Sequence, residues 1–309
     1  MHIGRAALEY LLARLILTTL GLLPRSVALR LAMGLARQAP RWLPALRRVG
    51  RRNLELAFPE LTISEHERIL AESFANLGRI IAEFGRFPSA TATSLAQRVD
   101  FVFPPEKRAR YDEAKAAGRG IIFVTPHLGN WEILVLAASA LFEPITYLAR
   151  PLDNQLLEGL TSRVRSRFGN RPISKRDSIM EGLKILDAGG NLGLLADVNT
   201  LQRDGVFVPF FGRLACTTRA VAMLALRTNA LIVPTCGVWE EKEQRYRVLV
   251  GELVEVVRTG RRKRDIIEIT ARYTAEMEKF IRAYPGQWVW VHRRWKTRPK
   301  GEPDIYARD

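Results

Sequence analysis

The stretch Ile121-Ile122-Phe123-Val124-Thr125-Pro126-His127-Leu128-Gly129-Asn130-Trp131-Glu132-Ile133-Leu134-Val135-Leu136 decides how the chain is read. A short apolar run, a break carrying Pro, Gly and Asn, and a longer apolar run describe a strand, a turn and a helix. Asn130 is an ordinary N-cap for that helix, and Glu132 in its first turn suits the dipole. Five residues on a regular helix turn through roughly 140°, so His127 and Glu132 would not share a face if both were helical. The histidine therefore belongs to the turn, with the glutamate reaching back from the first helical turn. A carboxylate that receives Nδ1–H leaves Nε2 free to take a proton from a hydroxyl. The alternative is a polar turn with no chemistry.

Outward from this unit, short apolar runs at 120–125, 144–148, 192–196, 206–211, 230–236 and 245–250 alternate with helical stretches near 131–142, 154–168, 176–188, 217–228 and 264–283. The alternation predicts an α/β fold, with a mixed, largely parallel sheet flanked by helices. Ligands of such sheets collect at the carboxyl ends of strands. Arg150 and Asp197 each close an apolar run and would join His127, Asn130 and Glu132 in one crevice. Phe207, Phe210 and Phe211 either wall an apolar ligand channel or are plain core. The tail Gln287-Trp288-Val289-Trp290-Val291-His292-Arg293-Arg294-Trp295 interleaves tryptophans with cations. Arg293 and Arg294 suit a lipid headgroup, while the same stripe suits nucleic acid by stacking. No glycine-rich nucleotide fingerprint is present.

Lys and Arg total 48 against 32 Asp and Glu, a net charge of +16 that favours polyanionic partners. Two cysteines without metal spacing point to a reducing compartment. Residues 5–85 read as helical, with Ser64 opening a capping box and Phe74, Leu77, Ile81 and Phe84 spaced for one face. Residues 8–23 are apolar but broken by Glu9 and Arg14, shorter than the ~20 residues a spanning helix needs. No small-residue cleavage site follows. Arginines at 30, 37, 41, 47, 48, 51 and 52 then suggest an interfacial or single-span anchor. The expected division is a helical membrane-associated region over 1–88 and an α/β domain over 89–309.

Arg-Arg-Asn-Leu-Glu-Leu-Ala-Phe-Pro-Glu at 51–60, the His127-x4-Glu132 turn, Tyr147-Leu148-Ala149-Arg150-Pro151, residues 206–212 and residues 287–299 follow one another in a telling order. Over about residues 8 to 300 the set resembles the bacterial lipid A biosynthesis lauroyl/myristoyl acyltransferase family. The resemblance implies a membrane O-acyltransferase on the cytoplasmic face of the inner membrane. It would move a fatty acyl chain from acyl carrier protein or CoA to a hydroxyl of a membrane glycolipid, a lipid A precursor being favoured. Another phosphoglycolipid acceptor, or an idle lipid-binding protein on the same fold, is the alternative. No metal or other cofactor and no nucleic acid is implied. Carried onto this chain, His127 is the base, Glu132 orients it, Arg150 holds a phosphate and Asp197 lines the site. Arg150 or a turn amide near Gly129 would face the oxyanion. Pro126 before the histidine, and the lack of a Phe-Pro-Glu-Gly-Thr block, separate the chain from glycerol-phosphate acyltransferases. Ala196-Asp197-Val198-Asn199-Thr200 also departs from the Asp-Gln common at that point in lipid A enzymes.

Overall fold

The computed structural model describes residues 2–149, 151–174 and 178–307. Four helices lead: α1 (His2–Leu22), α2 (Arg25–Trp42), α3 (Pro44–Ala57) and α4 (Ile63–Phe84). Pro24 and Pro44 set the corners, standing at helix starts, where proline costs no hydrogen bond. The capping box of α4 lies two residues earlier than Ser64. Thr62 keeps an extended backbone and accepts the Glu65 N–H, while the Glu65 carboxylate accepts the Thr62 N–H. Helix α4 buries Ile69, Leu70, Phe74, Ile80 and Phe84 and leaves Ile81 exposed. It packs closely on α2 at Gly78, where an added Cβ would stand 2.4 Å from the Ala32 carbonyl oxygen.

Beyond α5 (Ala92–Ala96) the chain alternates as expected. Strand β1 (Val99–Val102), α6 (Pro105–Ala116), β2 (Ile121–Thr125), α7 (Trp131–Leu141), β3 (Thr146–Ala149), α8 (Gln155–Arg165), β4 (Arg171–Ser174), α9 (Ser178–Asp187) and β5 (Asn191–Leu195) come first. Then follow β6 (Gly205–Phe210), β7 (Arg213–Thr218), α10 (Ala220–Thr228), β8 (Leu231–Glu240), β9 (Arg245–Val250) and α11 (Arg262–Ala283). Among the described residues one sheet has the order β1-β9-β8-β2-β5-β3-β4. From β8 to β4 all neighbours are parallel; β9 runs against β8 and carries β1 with it. The fold is therefore α/β, with a mixed, largely parallel sheet.

The expectation of a helix from 217 is corrected by β7, which returns on β6 through Phe211-Gly212. Both turn residues have positive φ, 50° and 70°, the backbone of a tight two-residue hairpin. One sheet face, through Ile122, Val124, Leu192 and Ile232, packs on α9, α10 and α11. On the other lie α6 and α7. The sheet's centre is a switch point: β2 leaves through α7 toward β3, while β5 leaves through the hairpin and α10 toward β8 on the opposite side. The carboxyl ends of β2 and β5 thus open into a crevice.

The lead helices are fastened to the carboxyl-terminal tail. Asn53 donates to the carbonyls of Trp290 at 2.5 Å and His292 at 2.7 Å and accepts from the Tyr306 hydroxyl at 2.5 Å, fully buried. Phe58 packs on Trp290 and Phe211. The 51–60 segment thus meets the tail in space. Asn53→Ala strands two buried carbonyls and a hydroxyl, and should cost roughly 2 kcal/mol. Denaturant unfolding checks this: a lower midpoint at unchanged slope is expected, an unchanged midpoint is not.

Candidate functional site

His127 stands two residues past the end of β2, and Asp197 two residues past the end of β5. Because Thr125 is in register with Leu195, the parallel pairing carries the two side chains to the same level. Asp197 Oδ1 lies 2.7 Å from His127 Nδ1, and Oδ2 accepts the His127 backbone N–H and the Trp288 indole N–H, each at 2.7 Å. The carboxylate is fully buried. Holding both the ring and the main chain of one histidine fixes the Nδ1–H tautomer and leaves Nε2 toward the cavity that His127 lines. Burial alone would raise the Asp197 pKa and lower that of His127. The pair's mutual attraction wins in both, so Asp197 lies far below the usual carboxylate range and His127 above its ordinary 6.5.

Glu132 does not take the place expected for it. Its carboxylate is gripped by Arg165, from the last turn of α8, at 2.9 and 2.5 Å. Both line the cavity beside His127, and Glu132 acts on the imidazole only through its charge. The carboxylate that orients the histidine is Asp197, since strand register brings it there directly whereas Glu132 is held by Arg165. Neither Arg165 nor Trp288 is legible as a site residue. Arg165 is one of two arginines in the last turn of a polar helix, and Trp288 reads as one member of the tail's tryptophan–cation stripe or as packing for the sheet.

The turn itself has no free amide for an oxyanion. Leu128 N–H bonds Pro126 O at 2.7 Å, Gly129 N–H bonds Gln287 O at 3.0 Å, and Asn130 N–H bonds Gly237 O at 2.8 Å. That corrects the expectation placed near Gly129. Gly129 is required there: φ is +64°, and a Cβ would stand 1.9 Å from the Gly237 oxygen. From α4, Asn76 donates to the Gly129 carbonyl at 2.8 Å. Asn130 is buried, caps α7 through Ile133 N–H and donates to Tyr246, so it has no reach to a ligand.

The cavity, about 1420 Å³, runs from His127 across the sheet face beneath α7. Its walls include Phe123, Leu134, Val135, Ala138, Val233 and Val248. Phe207, Phe210 and Phe211 are not among them. Phe210 and Phe211 pack into the cluster of Trp288, Trp290 and Trp295, and Phe207 is half-buried on the hairpin. Arg294 is fully buried and braces the carbonyls of Val198 and Cys216 and the Thr217 hydroxyl, while Arg293 is exposed over Tyr306. Neither lines the cavity. With all three tail tryptophans fully buried, the stripe offers no stacking platform for nucleic acid. Arg150 lies outside the described residues.

The chain matches the family model for bacterial lipid A biosynthesis acyltransferases over residues 3–297. It is 30% identical to the lipid A biosynthesis lauroyltransferase of Escherichia coli (strain K12), over 92% of this chain and 90% of that one. The lipid A biosynthesis palmitoleoyltransferase of the same strain is 28% identical over 96% and 97%. The myristoyltransferase is 25% identical over 83% and 77%.

A base must be neutral to act, so a raised His127 pKa puts the acid limb of kcat/KM above pH 6.5. Asp197→Asn removes the attraction that raises it, and the limb should move to lower pH as the rate falls. An acid limb that stays in place in Asp197→Asn would detach it from this pair.

Proposed function

The chain belongs to the bacterial lipid A biosynthesis acyltransferase family, and from that premise we propose that it transfers a fatty acyl chain from an acyl thioester to a hydroxyl of a lipid A precursor. The observation that carries the reading is the His127–Asp197 pair at the head of a long apolar cavity. The acceptor hydroxyl gives its proton to His127 Nε2 as its oxygen attacks the thioester carbonyl. Asp197 stabilises the imidazolium that forms. When the tetrahedral adduct collapses, the carbon–sulfur bond breaks, the sulfur takes the proton back from His127, and an ester and a free thiol remain. Glu132 and Arg165 act as one rigid unit beside the histidine, holding the mouth of the cavity in shape. Acyl carrier protein or CoA brings the donor, and the surplus of cations suits either. Arg150 remains the sequence's candidate for an acceptor phosphate. Arg219, exposed at the start of α10 and lining the cavity, is a second cation for that role.

The same reading places the protein on the cytoplasmic face of the inner membrane. Among the described residues no helix is long and apolar enough to cross a membrane. Helix α1 nevertheless exposes Leu8, Leu11, Leu12, Leu15 and Ile16. Helix α2 exposes Leu31, Leu35 and Trp42 beside Arg30, Arg37 and Arg41. An apolar stripe edged by cations supports attachment in the interface.

His127→Ala should lower turnover by ~10² or more with folding intact, measured as acylated lipid by mass spectrometry. A near-normal rate would remove it from the mechanism. Leu12→Glu with Leu15→Glu should release the protein from sedimenting anionic vesicles, and unchanged sedimentation would place the attachment elsewhere.

A further inference from the structure

The far end of the cavity is not apolar. Helix α6 lies on the same sheet face as α7, its last turn reaching the amino-terminal edge of the sheet, and turns Arg108, Tyr111, Asp112 and Lys115 toward the cavity, one helical face at spacings of three and four. Arg108 pairs with Asp112 at 2.8 Å. Lys115 pairs with Glu143, just past α7, at 3.2 Å, and bonds the Gly189 carbonyl at 3.1 Å and Asn191 Oδ1 at 3.4 Å. Glu143 and Asn191 line the same cavity. Between this charged end and His127 the walls are mainly aliphatic and aromatic, with the uncharged polar side chains of Thr125, Asn170 and Thr235 among them.

We propose that this charged face of α6, closed by the Lys115–Glu143 pair, is the stop that sets the length of the acyl chain. The inference rests on the acyl-transfer reading above. Each methylene added within the apolar walls improves binding roughly fourfold, by the usual transfer free energy of a buried CH₂. A methylene that reaches the floor meets ion pairs whose hydration and partners it would displace, and gains nothing. Selectivity then falls off at the length that brings the terminal methyl to Lys115.

The register gives that length. Lys115 touches Asn191, which is level with Ile121 at the start of β2, and His127 stands six residues further along the chain, just past the end of that strand. At the strand rise this is about 20 Å, room for an extended chain on the order of fifteen carbons at about 1.25 Å per bond. Side chains at either end shorten it by a few carbons.

The test offers the full-length protein in detergent an equimolar mixture of acyl carrier protein thioesters from decanoyl to stearoyl, with extracted lipid A precursors, and reads product masses. Lys115→Met with Glu143→Met removes both charges together, so neither is left unpaired. This double variant should raise the share of products one two-carbon step longer by roughly tenfold. Ala138→Leu, on α7 partway down the cavity wall, should move the distribution toward shorter chains. Should the double variant fail to fold, Ala138→Leu carries the test of the cavity as the measuring element, and Lys115→Gln with Glu143→Gln, which keeps hydrogen-bonding groups, carries that of the floor. Wild-type transfer with both distributions unmoved overturns the proposal. Absence of transfer by wild type from these donors overturns the acyl-transfer reading itself.

Discussion

A single buried carboxylate organises the carboxyl edge of the sheet. Asp197 accepts three hydrogen bonds, from the ring and main chain of His127 and from the indole of Trp288. A charge in that position is tolerable because both carboxylate oxygens accept hydrogen bonds and the His127 ring, which gains a positive charge on protonation, is in direct contact. The arrangement joins strand β5, the turn after β2 and the carboxyl-terminal tail. Other contacts extend it: Val289 N–H bonds the His127 carbonyl at 3.1 Å, and Ser73 on α4 bonds that of Trp288. Packing of the lead helices and placement of the base are therefore one problem.

This explains why motifs far apart in sequence travel together. Asn53 in the 51–60 segment holds the main chain of the tail, and the tail's Trp288 holds Asp197. Phe210 and Phe211, at the tip of the hairpin, fill the space between them against Trp288, Trp290 and Trp295. What resembles a series of ligand contacts in the sequence is largely the scaffold that fixes one histidine.

The α/β alternation and the strand-turn-helix unit at His127 were legible because apolar period and turn residues are local signals. The short strands β1 and β4 were not, since four residues on a sheet edge carry too little pattern. The choice between Glu132 and Asp197 was not legible either. Sequence proximity favours Glu132, but the decisive quantity is strand register: paired residues of β2 and β5 are 70 apart in the chain yet adjacent in the sheet. Arg165 escaped for a related reason, because its partner is on another helix. The cavity passes over alternate residues of several strands, and a run such as 206–212 could not reveal that its phenylalanines face elsewhere.

The most direct test is nitrogen-15 NMR of the His127 ring across pH in wild type, Asp197→Asn and Glu132→Gln. An Nδ1–H tautomer and a raised pKa are expected in wild type, both lost in Asp197→Asn, with the tautomer kept in Glu132→Gln. A ring that keeps its tautomer without Asp197 and loses it without Glu132 would contradict the assignment of Asp197 as the residue that orients the base.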